Sequence, residues 1–142
     1  MSDPRVPEIL RRRPWWVRPE RFVLAGLPLA ARAQALAAFG QIAAPFAQLI
    51  VEPDLVTLAL PERDWAAMRA AFPGARELAP LRVISFELDL PDDLIGFLAA
   101  VSRALAGAGA PILAICGYAR DHVVVREAHL AAALAALEAL AG

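Results

Sequence analysis

Two apolar runs, Arg21–Leu27 and Leu81–Leu88, are rich in β-branched and aromatic residues and read as strands. An Ala/Leu-rich stretch follows each, Leu29–Phe39 in the first half and Asp93–Ala108 in the second, and both are read as helices. Two further strands and a second helix come next in both halves. In the first, Phe46–Val51 and Leu55–Leu60 flank Glu52-Pro53-Asp54, and a helix opens at Pro61-Glu62 and closes near Pro73-Gly74. In the second, Ile112–Tyr118 and His122–Val125 are the strands, and a helix runs from Arg126-Glu127 to Leu140. Leu130, Leu134, Leu137 and Leu140 form one apolar stripe on that helix.

The halves align without gaps. Ile50–Val56 lies over Ile115–Asp121, and Leu60-Pro61-Glu62 lies over Val125-Arg126-Glu127. Each half reads strand–helix–strand–strand–helix, the order of a ferredoxin-like unit that lacks or shares its last strand. The predicted fold is α+β: two tandem βαββα units with antiparallel sheets and the helices packed on one face. Predicted boundaries are an N-terminal arm at 1–20, a degenerate first unit at 21–78 and a second unit at 79–142. The connector Phe72–Pro80 carries the turn residues of a boundary. A unit of this size is marginal alone, so the two are expected to support each other.

Composition narrows the function. The chain has 142 residues, 59% of them hydrophobic, with a formal net charge of −1. That charge argues against a general polyanion binder. All 14 basic residues are Arg, a compositional bias without functional weight. No apolar run of membrane-spanning length escapes interruption by Pro, Gly or charge, and the start of the chain shows no apolar signal region. A cytoplasmic protein is expected. One cysteine, Cys116, precludes an intrachain disulfide and a Cys-based zinc cluster. The arm carries Arg11-Arg12-Arg13-Pro14-Trp15-Trp16 among four prolines and five arginines. Its prolines disfavour a continuous helix. It reads as a strap whose indoles cover core or interface, in preference to a nucleic-acid contact.

Two segments hold the candidate chemistry. Leu90–Gly96 carries helix-start signals, with Asp92 or Asp93 as the N-cap and Gly96 in the first turn. Free N–H groups after a cap bind anions, but an ordinary capped helix fits the same pattern. Asp121 follows the turn Gly117–Arg120, where it either accepts from a cation or pairs locally. Cys116, inside an apolar strand, reads as a buried small hydrophobe. His122 and His129 lack an evident third partner for catalysis or metal binding. Glu62 and Glu127 sit at helix starts in a structural role, and Glu87 and Asp89 read as solvated.

Leu94-Ile95-Gly96-Phe97-Leu98, Ala108–Ile112 and Cys116–His122 followed by Val123-Val124-Val125-Arg126-Glu127 resemble the second half of small bacterial proteins with two ACT domains. Relatives of that family include the CASTOR-type arginine sensors of animals. The first half matches more loosely, at Glu52-Pro53-Asp54-Leu55. The resemblance implies a non-enzymatic regulatory protein, without cofactor, that binds a free amino acid between ACT units; a homodimer is expected from sheet edges, which in such units often pair across a two-fold axis. It implies that Leu94, Ile95 and Gly96 hold the ligand's carboxylate side, that Asp121 contacts its amino or cationic part, and that Gly117 and Tyr118 wall the pocket. The chain departs from the family pattern where Ile95, Gly117 and Arg120 replace hydroxyl residues. The alternative is an interaction module that has kept the fold and lost the pocket.

Overall fold

The computed structural model describes residues 2–87 and 89–142. Met1 and Leu88, the last residue of the predicted strand Leu81–Leu88, lie outside the described residues. In chain order the elements are α1 (Arg5–Arg11), β1 (Trp15–Val17), β2 (Phe22–Pro28), α2 (Arg32–Phe39), β3 (Gln48–Val51), β4 (Leu55–Pro61), α3 (Glu62–Met68), β5 (Arg76–Phe86), α4 (Phe97–Gly107), β6 (Ile112–Cys116), β7 (Asp121–Arg126) and α5 (Leu130–Ala141). They divide into two compact units, Glu20–Leu81, and Met1–Pro19 together with Arg82–Gly142. Both are mixed α+β units of ferredoxin-like topology, with antiparallel strands and helices.

In the unit Glu20–Leu81 the strand order is β3-β4-β2-β5, and every pairing is antiparallel. β2 and β4 pair in unbroken register from Phe22↔Pro61 to Pro28↔Leu55. Val23, Ala25, Leu27, Leu58, Leu60, Trp65 and Phe72 form the core. Trp65 stacks on Phe72, with ring centroids 6.2 Å apart. Its indole N–H donates to Glu77 Oε1 at 2.7 Å, so the ring's one polar atom is satisfied on burial. The segment Arg76–Pro80, predicted as connector, is strand. Opposite Val23 the register slips between Phe22↔Leu81 and Leu24↔Leu78. This bulge accommodates Pro80, which has no N–H to give to the ladder.

The other unit repeats this spatial order with strands from two parts of the chain. Residues Arg82–Phe86 of β5 are flanked by β7 and then β6 on one side and by β1 on the other. β1 pairs antiparallel through Trp15↔Phe86, Trp16↔Ser85 and Val17↔Ile84. The N-terminal arm thus supplies the fourth strand that the C-terminal segment lacks. It also supplies a helix. Pro4 is the N-cap of α1 and Pro7 lies in its first turn, where backbone N–H groups have no intrahelical acceptor, so neither proline breaks it.

Val6, Ile9 and Leu10 of α1 enter the same core as Ile84, Phe86, Val101, Leu105, Val123, Val125, Ala133 and Leu137. Phe86 and Phe97 meet edge to face at 5.1 Å. Each fully buried large side chain contributes about 1.5–3 kcal/mol. On α5 the fully buried positions are Ala133, Leu137 and Ala141. Leu130, Leu134 and Leu140 of the predicted stripe pack partly buried beside them, because the alanines let the helix axis approach the sheet.

Candidate functional site

α4 ends and begins on glycines of positive φ. At its C-terminus Gly109 has φ 72°. Its amide donates to Ala106 O, and that of Ala110 to Leu105 O, closing a Schellman cap. At its N-terminus Gly96, at φ 94°, is the N-cap itself, and no side chain caps the helix. Neither Asp92 nor Asp93 takes that role. The helix starts at Phe97, later than the predicted Asp93. Asp93 pairs with Arg5 at 3.1 Å instead. The first turn of α4 carries no acidic residue, so its N–H groups are left for solvent or an anion.

A hairpin faces this helix start across a cleft. β6 and β7 pair from Ile112↔Val125 to Cys116↔Asp121, and the Gly117 amide closes the turn on Arg120 O at 2.9 Å. The Leu90 amide donates to Ala119 O at 3.1 Å, which joins the segment before α4 to the hairpin tip. Between them lies a cleft of about 310 Å³. Of the residues predicted for the site, Leu94, Gly96, Gly117, Tyr118 and Asp121 line it. Tyr118 does so from the rim, fully exposed. Ile95 does not line it. Its side chain is 66% exposed and faces a separate groove with Ser2, Ala99 and Arg103. Sequence reasoning missed Asp92, Phe97 and Leu98 as lining residues, because it began the helix too early.

The charges around the cleft are specific. The lining carries Asp92, Asp121 and Arg120. Arg120 spans Glu87 at 3.2 Å and Asp89 at 3.0 Å, so the two acids read as solvated are ion-paired. This commits the guanidinium away from a ligand and leaves Asp121 as a carboxylate at the hairpin mouth. Cys116 is exposed at the end of β6, not buried as expected. β6 has β7 on one side only and is the last strand of its order. A hydrogen bond to Asp121, aided by partial burial, pushes the Cys116 thiol above its ordinary pKa, so it is a poor nucleophile.

Beneath the hairpin, His122 Nδ1 lies 2.8 Å from the hydroxyl of the buried Ser85. That hydroxyl also accepts from Arg18 Nε at 2.8 Å. A Cβ on Gly117 would lie 3.6 Å from His122 Nε2. Burial, reinforced by Arg18, holds His122 below its ordinary pKa. A neutral imidazole therefore supports the turn. Among the described residues no group of three or more His, Cys, Asp or Glu could hold a metal ion. Nor is any described helix long and apolar enough to cross a membrane.

Residues 76–139, which contain the whole cleft, match the family model of the ACT domain. The fold is shared with solved structures of low sequence identity. A Vibrio cholerae protein of unknown function, described as a possible transport protein, superposes with a TM-score of 0.70 at 22% identity, covering 97% of this chain and 98% of that one. The regulatory subunit of aspartate kinase from Thermus flavus gives 0.65 at 14% identity, over 89% and 95% of the two chains. Aspartate kinase from Clostridium acetobutylicum gives 0.67 at 10% identity, over 90% of this chain and 34% of the enzyme. No curated protein matches the sequence.

Proposed function

We propose that this protein is a non-enzymatic regulator that binds a free amino acid in the cleft between the start of α4 and the β6–β7 hairpin. The observation that carries the reading is the uncapped, Gly96-initiated helix start sharing one cleft with Asp121. Polarised N–H groups at a helix start favour a carboxylate, and Asp121 favours an ammonium group. The two ends of the cleft therefore suit the two ends of a zwitterion, and Leu94, Phe97 and Leu98 offer apolar walls. The ACT-domain match and the fold shared with aspartate kinase regulatory subunits support a regulatory, ligand-binding role. In this reading Leu94, Gly96 and Asp121 contact the ligand, Gly117 and Tyr118 wall it, and Ile95, which does not line the cleft, takes no part. Among the described residues β6 has no strand on its outer edge, where Leu113 is 39% exposed, and this fits self-association as a homodimer, which we place in the cytoplasm.

Isothermal titration against the twenty amino acids tests this. At about 100 μM protein even weak ligands give heat, and Asp121→Ala should abolish it. Silence with all twenty defeats the reading and leaves the fold as an interaction module.

A further inference from the structure

The N-terminal segment is fastened to the loop that walls the cleft. The Asp3 amide donates to Ile95 O at 2.9 Å. The Arg5 guanidinium bridges Asp3 at 2.6 Å and Asp93 at 3.1 Å, and Asp3 Oδ1 accepts the Arg5 amide at 2.8 Å. Ser2 lies so close to Gly96 that a Cβ there would stand 2.8 Å from its Oγ. Behind these contacts Val6, Ile9 and Leu10 are held in the core, and Arg13 Nε pairs with Glu138 at 2.7 Å. The segment is therefore a short bridge with one firm end. Its far end grips the stretch 93–96, of which Leu94 and Gly96, with the adjacent Asp92, line the cleft. Where a side-chain cap would ordinarily fix a helix start, α4 has none, and the external grip takes its place.

We propose that Ser2–Arg5 is a positioning strap that holds Asp93–Gly96 in the conformation presenting the start of α4 to the cleft, so that strap docking and cleft occupancy reinforce each other. The coupling rests on the ligand-binding reading above; the positioning does not. Thermodynamic reciprocity gives the coupling its sign: a ligand that needs the docked loop tightens the strap, and a loosened strap weakens the ligand by the same factor. Hydrogen bonds from Arg5 hold the Asp3 carboxyl at about 2, which keeps the fastening charged across ordinary pH.

The test uses the full chain without ligand, comparing wild type with Asp3→Ala/Arg5→Ala and with Asp93→Ala, which breaks the bridge from the other side and does not line the cleft. Amide hydrogen exchange is read at Ala100, whose N–H closes the first turn on Gly96 O at 3.0 Å. Both variants should exchange at Ala100 about fivefold faster or more, while Val123 and Val125 in the core are unchanged. No change at Ala100, or an equal change at all amides, overturns the positioning role. A second arm titrates the same proteins with the twenty amino acids. Affinity weakened about threefold or more supports the coupling. Unchanged affinity with faster exchange overturns it. Absence of binding in the wild type overturns the coupling and the ligand reading together, and the exchange data still decide the strap.

Discussion

Three glycines of one helix provide a graded prediction. Gly96, Gly109 and Gly107 lie at its start, just past its end, and in its last turn. An alanine at Gly107 meets nothing within 4 Å and needs no unusual φ. It should stabilise by about 0.5–1 kcal/mol through helix propensity. An alanine at Gly109 also meets nothing within 4 Å but must hold φ +72°, which costs about 1–2 kcal/mol. At Gly96 φ is +94°, and the new Cβ would lie 2.8 Å from Ser2 Oγ and 3.2 Å from Ser2 Cα and Cβ. The φ strain of about 1–2 kcal/mol then combines with displacement of Ser2, for a total near 2–3 kcal/mol. Urea unfolding monitored by tryptophan fluorescence measures all three. In melting temperature the extremes should differ by roughly 5–16 °C, at about 2–4 °C per kcal/mol for a chain of this size. Equal effects at Gly96 and Gly107 would refute the account of the helix start, because they would show that neither strain nor Ser2 opposes a side chain there.

Other consequences are as direct. The folded-state pKa of His122 is depressed, so the unfolded chain binds a proton first as pH falls. The stability it contributes is present above its ordinary value of 6.5 and is lost below it. His122→Gln should flatten that acid limb of the unfolding curve, and an unchanged limb would contradict the assignment. Leu105→Ala removes a fully buried side chain and should cost about 2–5 kcal/mol in chemical denaturation. Leu113→Ala on the exposed edge strand should stay within about 1 kcal/mol of wild type. Trp65→Phe keeps the apolar ring but leaves Glu77 Oε1 without its indole donor, and should cost about 1–2 kcal/mol by the same assay.

The succession of strands and helices was legible because apolar runs alternate with Ala/Leu-rich stretches in each half. The aligned segments Ile50–Val56 and Ile115–Asp121 each hold the end of an outer strand, β3 and β6, and the turn into the strand that follows. What the chain does with its arm was hidden. Prolines that disfavour a helix interior are harmless at Pro4 and Pro7, since both fall where no intrahelical hydrogen bond is due. The pairing of Trp15–Val17 with Ile84–Phe86 joins residues half the chain apart, and no local pattern reports it. Pro80 read as a break because the bulge that admits it is a property of the pairing with β2. At the site, Asp92 and Asp93 carried the local signals of an N-cap, yet tertiary contacts overrode them. Arg5 draws Asp93 away, and Gly96, at φ +94° and without a Cβ, leaves room for Ser2. Gly96 and Asp121 could be named from the sequence, whereas the outward direction of Ile95 could not, because it depends on where the helix begins.

Amino-acid binding in the cleft between α4 and the hairpin is the function proposed for this protein. Its most direct test is a titration of the 15N-labelled protein with each of the twenty amino acids, followed through backbone amide shifts. At least one of them should move the Phe97, Leu98 and Ala99 amides together with those of Gly117 to Asp121, saturably, and Asp121→Ala should abolish the response. Shifts confined to other parts of the chain, or none at millimolar ligand, would contradict it.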